Sequence, residues 1–144
     1  MLKSVSPALT PDLLWVLASM GHGDRLALVN ANYPAYSRHE RVAALPGVSL
    51  VTAAKAILQL MPIDDLNGPP AYRMVPDGKP DEMLEVHRDL QQVLDAAENR
   101  SVCMKALERA AFLELAATSF AVVLTTDNRP YGCFVIAKGV VRTA

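Results

Sequence analysis

Leu13-Leu-Trp-Val-Leu-Ala-Ser-Met20-Gly-His-Gly-Asp24-Arg-Leu-Ala-Leu-Val29 changes period halfway along, and that change decides the fold. Leu13, Leu14, Leu17 and Met20 recur at helical spacing. Arg25 to Val29 is instead a short, nearly continuous apolar run, the pattern of a strand buried on both faces. Upstream, Thr10-Pro11-Asp12 supplies an N-cap, a first-turn proline and an acid at the positive end of the helix dipole. Gly21 is expected to close the helix as a left-handed cap. His22, held between two glycines at the turn into the strand, can present its ring to a ligand unobstructed. Its ordinary pKa lies near neutrality, which suits proton transfer.

Further out, the same alternation repeats. Val51 to Met61 predicts a helix stopped by Pro62, and a Pro-rich link through Pro69-Pro70 leads to a strand at Ala71 to Val75. Pro80-Asp81 opens a helix in which Met83, Val86, Leu90, Val93, Leu94 and Ala97 share one face. Val102 to Ala106 reads as a strand and Glu108 to Ala117 as a helix. Phe120 to Leu124 and Cys133 to Ala137 read as strands around a turn at Asp127-Asn-Arg-Pro130, so a hairpin is expected there. Asn30 to Ser37 reads as a loop because of Pro34. The expected fold is an α/β sandwich over residues 1–144, with a mostly parallel central sheet flanked by helices and one antiparallel pair at its end. Ligands of such sheets gather at strand ends, here the loops at Asn30–Ser37, Pro69-Pro70 and Arg129–Gly132.

Bulk composition narrows the function. The 144 residues are 51% hydrophobic and 20% charged, which suits one domain with a real core. A formal net charge of −1 and the lack of a basic run argue against nucleic acid or an anionic membrane as partner. The apolar share is high for a small monomer, so part of it is expected between subunits. Cys103 and Cys133 have no neighbour at metal-ligand spacing, and no signal-like opening is present; both features point to a reducing, cytoplasmic setting.

Individual residues carry two readings each. His22 serves either as an acid/base or as a plain cap to the helix carbonyls. Asp24 orients that ring, accepts a ligand hydroxyl, or simply forms the turn. Gly21-His22-Gly23 follows a helix and lacks the third glycine of a dinucleotide fingerprint. His39 and His87 stand among charged residues and are expected on solvated faces. Tyr131, between turn and strand, offers a flat face for sugar C–H surfaces and a hydroxyl for hydrogen bonding, or core packing alone. Arg109 places a cation at a helix start, where the dipole disfavours it; this hints at a ligand or a neighbouring subunit.

Together these pieces resemble the RbsD/FucU family of sugar mutarotases, closer to the fucose-type branch. The resemblance runs through Met1-Leu2-Lys3, Ser6-Pro7, Pro11-Asp12-Leu13-Leu14, Met20-Gly21-His22-Gly23-Asp24 and Ala31-x-Tyr33-Pro34-Ala35. It continues in Pro69-Pro70 with Met74, Arg109 with Phe112, and Tyr131-Gly132 to Lys138-Gly139-Val140. It implies interconversion of the α and β anomers of a monosaccharide, L-fucose or a related sugar, with no cofactor and no metal. It also implies a homodecamer of two stacked pentamers, with sites where subunits meet. By position, His22 and Tyr131 become catalytic, while Asp24, Asn30, Asn32, Met74, Arg109 and Cys133 become sugar-binding. The family pattern carries an aspartate where this chain has Asn30, a histidine (in the fucose branch) at Asn32, and an asparagine at Cys133. It carries a polar or aromatic residue at Leu113. The alternative is a divergent protein of the same fold that holds a sugar without turning it over.

Overall fold

The Met20–Asp24 turn feeds the chain into the middle of a six-stranded sheet, as seen in a computed structural model describing residues 1–143. In chain order the elements are α1 (Pro11–Ser19), β1 (Arg25–Val29), α2 (Ala35–Arg38), β2 (Val42–Leu45), α3 (Leu50–Leu60) and β3 (Ala71–Val75). They continue with α4 (Glu85–Glu98), β4 (Met104–Glu108), α5 (Arg109–Ala116), β5 (Ala121–Thr125) and β6 (Cys133–Ala137). The strand order is β2-β5-β1-β6-β3-β4. Pairs β1–β5, β2–β5 and β3–β4 are parallel, while β6 runs antiparallel to both β1 and β3.

Alternation along the strands sorts the core into two layers. Leu26 and Leu28 of β1 and Phe134 and Ile136 of β6 pack with α1, α3 and α4. Ala27, Val29, Cys133 and Val135 point the other way, onto Phe112, Leu113 and Ala116 of α5 and onto Tyr33. Both faces of β1 are therefore covered, as its unbroken apolar run requires. The helices form the outer layers of a sandwich around the sheet. Among the described residues no helix is long and apolar enough to cross a membrane.

Several local expectations are corrected. The hairpin between β5 and β6 does not form, because β1 lies between them. Residues 126–132 instead cross the end of β1, where Asp127 O accepts the Ala31 N–H at 2.8 Å. The antiparallel strand accordingly sits inside the sheet and not at its end. Gly21 does not adopt the left-handed conformation; Gly23 does, at φ 87°. The loop reading of Asn30–Ser37 fails at Ala35, where α2 begins. Strand β4 starts two residues later than expected because Val102 is tied to α4, its N–H by Asp95 and its C=O by Gln91. Helix α4 begins at Glu85, since Leu84 is its N-cap. His87, expected on a solvated face, is fully buried.

Candidate active site

His22 stands at the entry to β1 on a turn held from the far side of β6. Gly23 N–H donates to Lys138 O and Lys138 N–H to Asp24 O, each at 2.8 Å. The Lys138 ammonium reaches back to the carbonyls of Leu17 and Met20, a cation placed at the negative end of α1. On the other side of the same segment, Gly139 N–H donates to Pro62 O and Asp64 N–H to Ala137 O. This brings Asp64 beneath the histidine, with Nε2 of His22 3.0 Å from Oδ1 of Asp64.

Asp64 is 2% exposed, whereas the His22 side chain is 37% exposed. Burial alone would raise the Asp64 pKa. The bond to His22, the Leu66 N–H and the Asn67 side chain outweigh burial and hold it below the ordinary carboxylate value. The Asp64 carboxylate accepts from Nε2–H of His22, and Nδ1 has no hydrogen-bond partner among the described residues. Of the readings open for Asp24 (orienting that ring, accepting a ligand hydroxyl or forming the turn), the contacts match the turn. Its Oδ2 accepts the Gly21 N–H at 2.8 Å, the role of a turn former.

A cavity of ≈ 330 Å³ lies at the opposite end of β1, on the α5 side of the sheet. Asn30, Asn32, Tyr33, Met74, Arg109, Leu113, Asn128, Tyr131 and Cys133 are among its lining residues. Six of the sequence-selected residues, Asn30, Asn32, Met74, Arg109, Tyr131 and Cys133, therefore meet in one place. His22 and Asp24 do not join them: β1 separates the two ends by five residues, roughly 17 Å at ~3.3 Å per residue. Arg109 is exposed at the first position of α5, and among the described residues its guanidinium has no carboxylate partner. Tyr131 has φ 57°, a left-handed conformation costing a non-glycine residue about 1–3 kcal/mol.

The chain matches the model of the RbsD / FucU transport protein family over residues 3–141. It belongs to that family. It is 37% identical over 142 residues to an L-fucose mutarotase of Actinobacillus pleuropneumoniae, covering 97% of each chain. A fucose mutarotase of Danio rerio is 38% identical over 149 residues, with 97% of this chain and 94% of that one covered. The crystal structure of the fucose mutarotase from Streptococcus pneumoniae in complex with L-fucose superposes with a TM-score of 0.89. It is 30% identical, with 98% and 100% of the two chains covered.

For this RbsD/FucU member, the structure gives the unusual polar residues defined tasks. Asn30 is buried and spends both ends of its amide on the loops: Nδ2 donates to Arg129 O, and Oδ1 accepts from Asn32 N–H. Burial pushes the Cys133 thiol up to about 11, so it remains a neutral wall group. Tyr33, likewise pushed up to about 12 by burial and by nearby Cys133, pairs its hydroxyl with Nε2 of His39 at 2.8 Å. Sequence reasoning assigns no individual role to three of these residues. Asp64 lies in a Pro-rich link with no periodic signal. Asn128 reads only as part of a turn, and Tyr33 only as part of a ligand-gathering loop and of the family pattern.

Proposed function

We propose that this chain is a monosaccharide mutarotase, an isomerase acting on L-fucose or a related sugar by acid/base ring opening and closure. The observation that carries the reading is the His22–Asp64 dyad, a histidine with one nitrogen anchored and the other free. A largely apolar cavity within the small-molecule size range, with Asn, Arg and Tyr side chains in its lining, supports it. So does similarity over nearly the full chain to fucose mutarotases. The cavity and the dyad belong to different ends of one chain, so the working site takes His22 from one copy and Tyr131 from its neighbour.

In that assembly Nδ1 of His22 removes the proton of the anomeric hydroxyl. The bond between C1 and the ring oxygen breaks, and the ring oxygen takes a proton from the Tyr131 hydroxyl or from a water it holds. The aldehyde rotates, the ring closes on its other face, and both protons return. Each proton-transfer group is worth roughly 10²–10⁴ in rate. Arg109, Asn32 and Asn128 offer hydrogen bonds to the sugar hydroxyls, while Met74 and the Tyr131 ring supply apolar surface. Trp15, Tyr36, Leu66 and Val141 are each more than half exposed, which supports burial between copies in a homo-oligomer, with a decamer of stacked pentamers as the specific proposal. The two free cysteines, Cys103 and Cys133, support a reducing, cytoplasmic setting as part of the proposal.

Saturation-transfer NMR on freshly dissolved L-fucose tests the activity, and mixing variants tests the shared site. His22→Ala and Tyr131→Ala proteins, each inactive alone, should recover about a quarter of wild-type activity when co-assembled, the random share for a head-to-tail interface. No recovery rejects the shared site. A second reading, sugar binding without turnover, is favoured by Asn30, whose amide is fully engaged and cannot move a proton. Tight calorimetric binding with unchanged anomer exchange selects it.

A further inference from the structure

His87 is buried in the first turn of α4, on the opposite face of the sheet from the cavity, yet it is bonded to the cavity's tyrosine. Its Nδ1 lies 3.1 Å from the Leu84 backbone nitrogen. That nitrogen is a donor, so Nδ1 must be the unprotonated acceptor. The proton therefore resides on Nε2, which donates to the carbonyl of Tyr131 at 2.9 Å, 44 residues away. The first bond is one half of a capping box; the second is unrelated to the helix. The ring is braced edge-on against Phe134, with centroids 5.8 Å apart and planes at 84°.

Two more contacts seat the same loop on the same helix ends. A Cβ at Gly132 would lie 2.6 Å from Leu50 Cδ1, a side-chain tip that can yield, 3.1 Å from the Arg129 carbonyl oxygen and 3.4 Å from Val86 Cγ2, so glycine lets the backbone rest close against these helix ends. Arg129 reaches Asp89 of α4 at 2.7 Å. Between these anchors Tyr131 adopts its left-handed backbone at the end of β6, and its side chain lines the cavity on the other face of the sheet.

We propose that His87 is a positioning residue: its Nε2–H, clamped on the Tyr131 carbonyl, holds that residue left-handed and so sets where its ring and hydroxyl stand in the cavity. The functional consequence rests on the sugar-site reading above; the clamp itself does not.

Amide side chains separate the two bonds by reach. Counted from Cα, the Asn side-chain oxygen sits as many bonds away as Nδ1 of histidine, and the Gln nitrogen as many as Nε2. His87→Asn therefore keeps the helix cap and loses the clamp, whereas His87→Gln restores a donor to Tyr131. Amide hydrogen exchange of the full-length protein should show loop residues 126–132 losing at least tenfold protection in His87→Asn. The first turn of α4 should be unchanged, and His87→Gln should regain most of the loop protection. Mutarotation of L-fucose should follow the same order, with kcat falling at least tenfold in His87→Asn and KM changing less. Loop protection that is equal in wild type and His87→Asn overturns the clamp whatever the catalysis does. Altered protection with wild-type anomer exchange in both variants overturns the link to Tyr131 chemistry. A wild type inert toward sugars bears on the sugar-site reading and leaves the exchange test standing. Should both variants unfold, the ¹⁵N shifts of His87 in the wild type decide: an Nδ1–H tautomer refutes the proposal and an Nε2–H tautomer supports it.

Discussion

His22 and Asp64 are 42 residues apart in sequence and meet at 3.0 Å, Nε2 against Oδ1, across the Lys138–Gly139 segment that both flanking turns grip. Because Asp64 is buried and also accepts the Leu66 N–H, it cannot swing away to solvent. It fixes the ring orientation, and on the proposed mechanism it would stabilise the imidazolium formed when Nδ1 takes a proton. Asp64→Asn keeps an acceptor for Nε2–H but removes that charge. The expected loss in anomer exchange is about 10-fold or more, less than the roughly 10²–10⁴ of a group that itself transfers the proton, with KM little changed. Saturation-transfer rates across a sugar titration give both parameters. Wild-type rates in the variant would remove Asp64 from the mechanism.

The same pair sets an acid limit on stability. The folded pKa of Asp64 lies below its ordinary value of 3.8, so the unfolded chain binds the proton more readily. The contribution to stability is complete above the unfolded value and fades as pH falls through the folded one. Urea unfolding from pH 5 downward should therefore show a shallower acid loss in Asp64→Asn than in the wild type. Parallel curves for the two proteins would contradict the depressed pKa.

His87 limits stability at a milder pH. Burial pulls its pKa below 6.5, with Arg73 on β3 and Arg88 on α4 adding to that effect; the Tyr131 carbonyl bond opposes it. The unfolded state again binds the proton more readily, so this stabilisation is full above pH 6.5 and declines as the solution is acidified below it. His39, also depressed by burial and by Arg38, contributes in the same direction. Replacing His87 by Gln removes one of these two titrating groups. The expected result is a smaller drop in unfolding midpoint between pH 7 and 5 than the wild type shows. An identical drop would mean that His87 does not titrate in that window.

Most of the architecture was legible because it rests on local periodicity. Leu13 to Val29 announces a helix, a turn and a doubly buried strand, and Met83 to Ala97 announces α4 by its single apolar face. The failures came where partners are distant. The Asp127–Pro130 turn looks like a hairpin locally, and only the insertion of β1 between β5 and β6 makes it a crossing loop. His87 has charged neighbours in sequence, but the helical period turns it to the same buried face as Val86 and Leu90. For the cavity, residue identity and family pattern together selected Asn30, Arg109, Tyr131 and Cys133. Asp64 lay hidden, since its link has neither period nor motif, and its role depends on where Lys138–Gly139 passes.

Asn30 supplies a further test. Aspartate at this position would keep the acceptor for Asn32 N–H but lose the donor to Arg129 O, leaving two oxygens facing each other in a buried site. Losing that bond and leaving the carbonyl unsatisfied costs about 1–3 kcal/mol. Asn30→Asp should lower the thermal midpoint by several degrees, as calorimetry would register. Full stability together with a large gain in anomer exchange would show that the loop tolerates the carboxylate and that its absence was what limited catalysis.

Gly139 links packing directly to chemistry. A Cβ there would lie 2.6 Å from the carbonyl oxygen of Ile63 and 3.0 Å from the Asp64 nitrogen. Both are backbone atoms, so relief requires the 62–64 segment to move away from the end of β6 and to carry Asp64 with it. Gly139→Ala is expected to cost about 1–3 kcal/mol through overpacking. Because the displaced residue is the partner of His22, activity should also fall in molecules that remain folded. Anomer exchange measured well below the thermal midpoint separates the two effects. A destabilised variant with wild-type kcat would mean that His22 keeps its orientation without contact to Asp64.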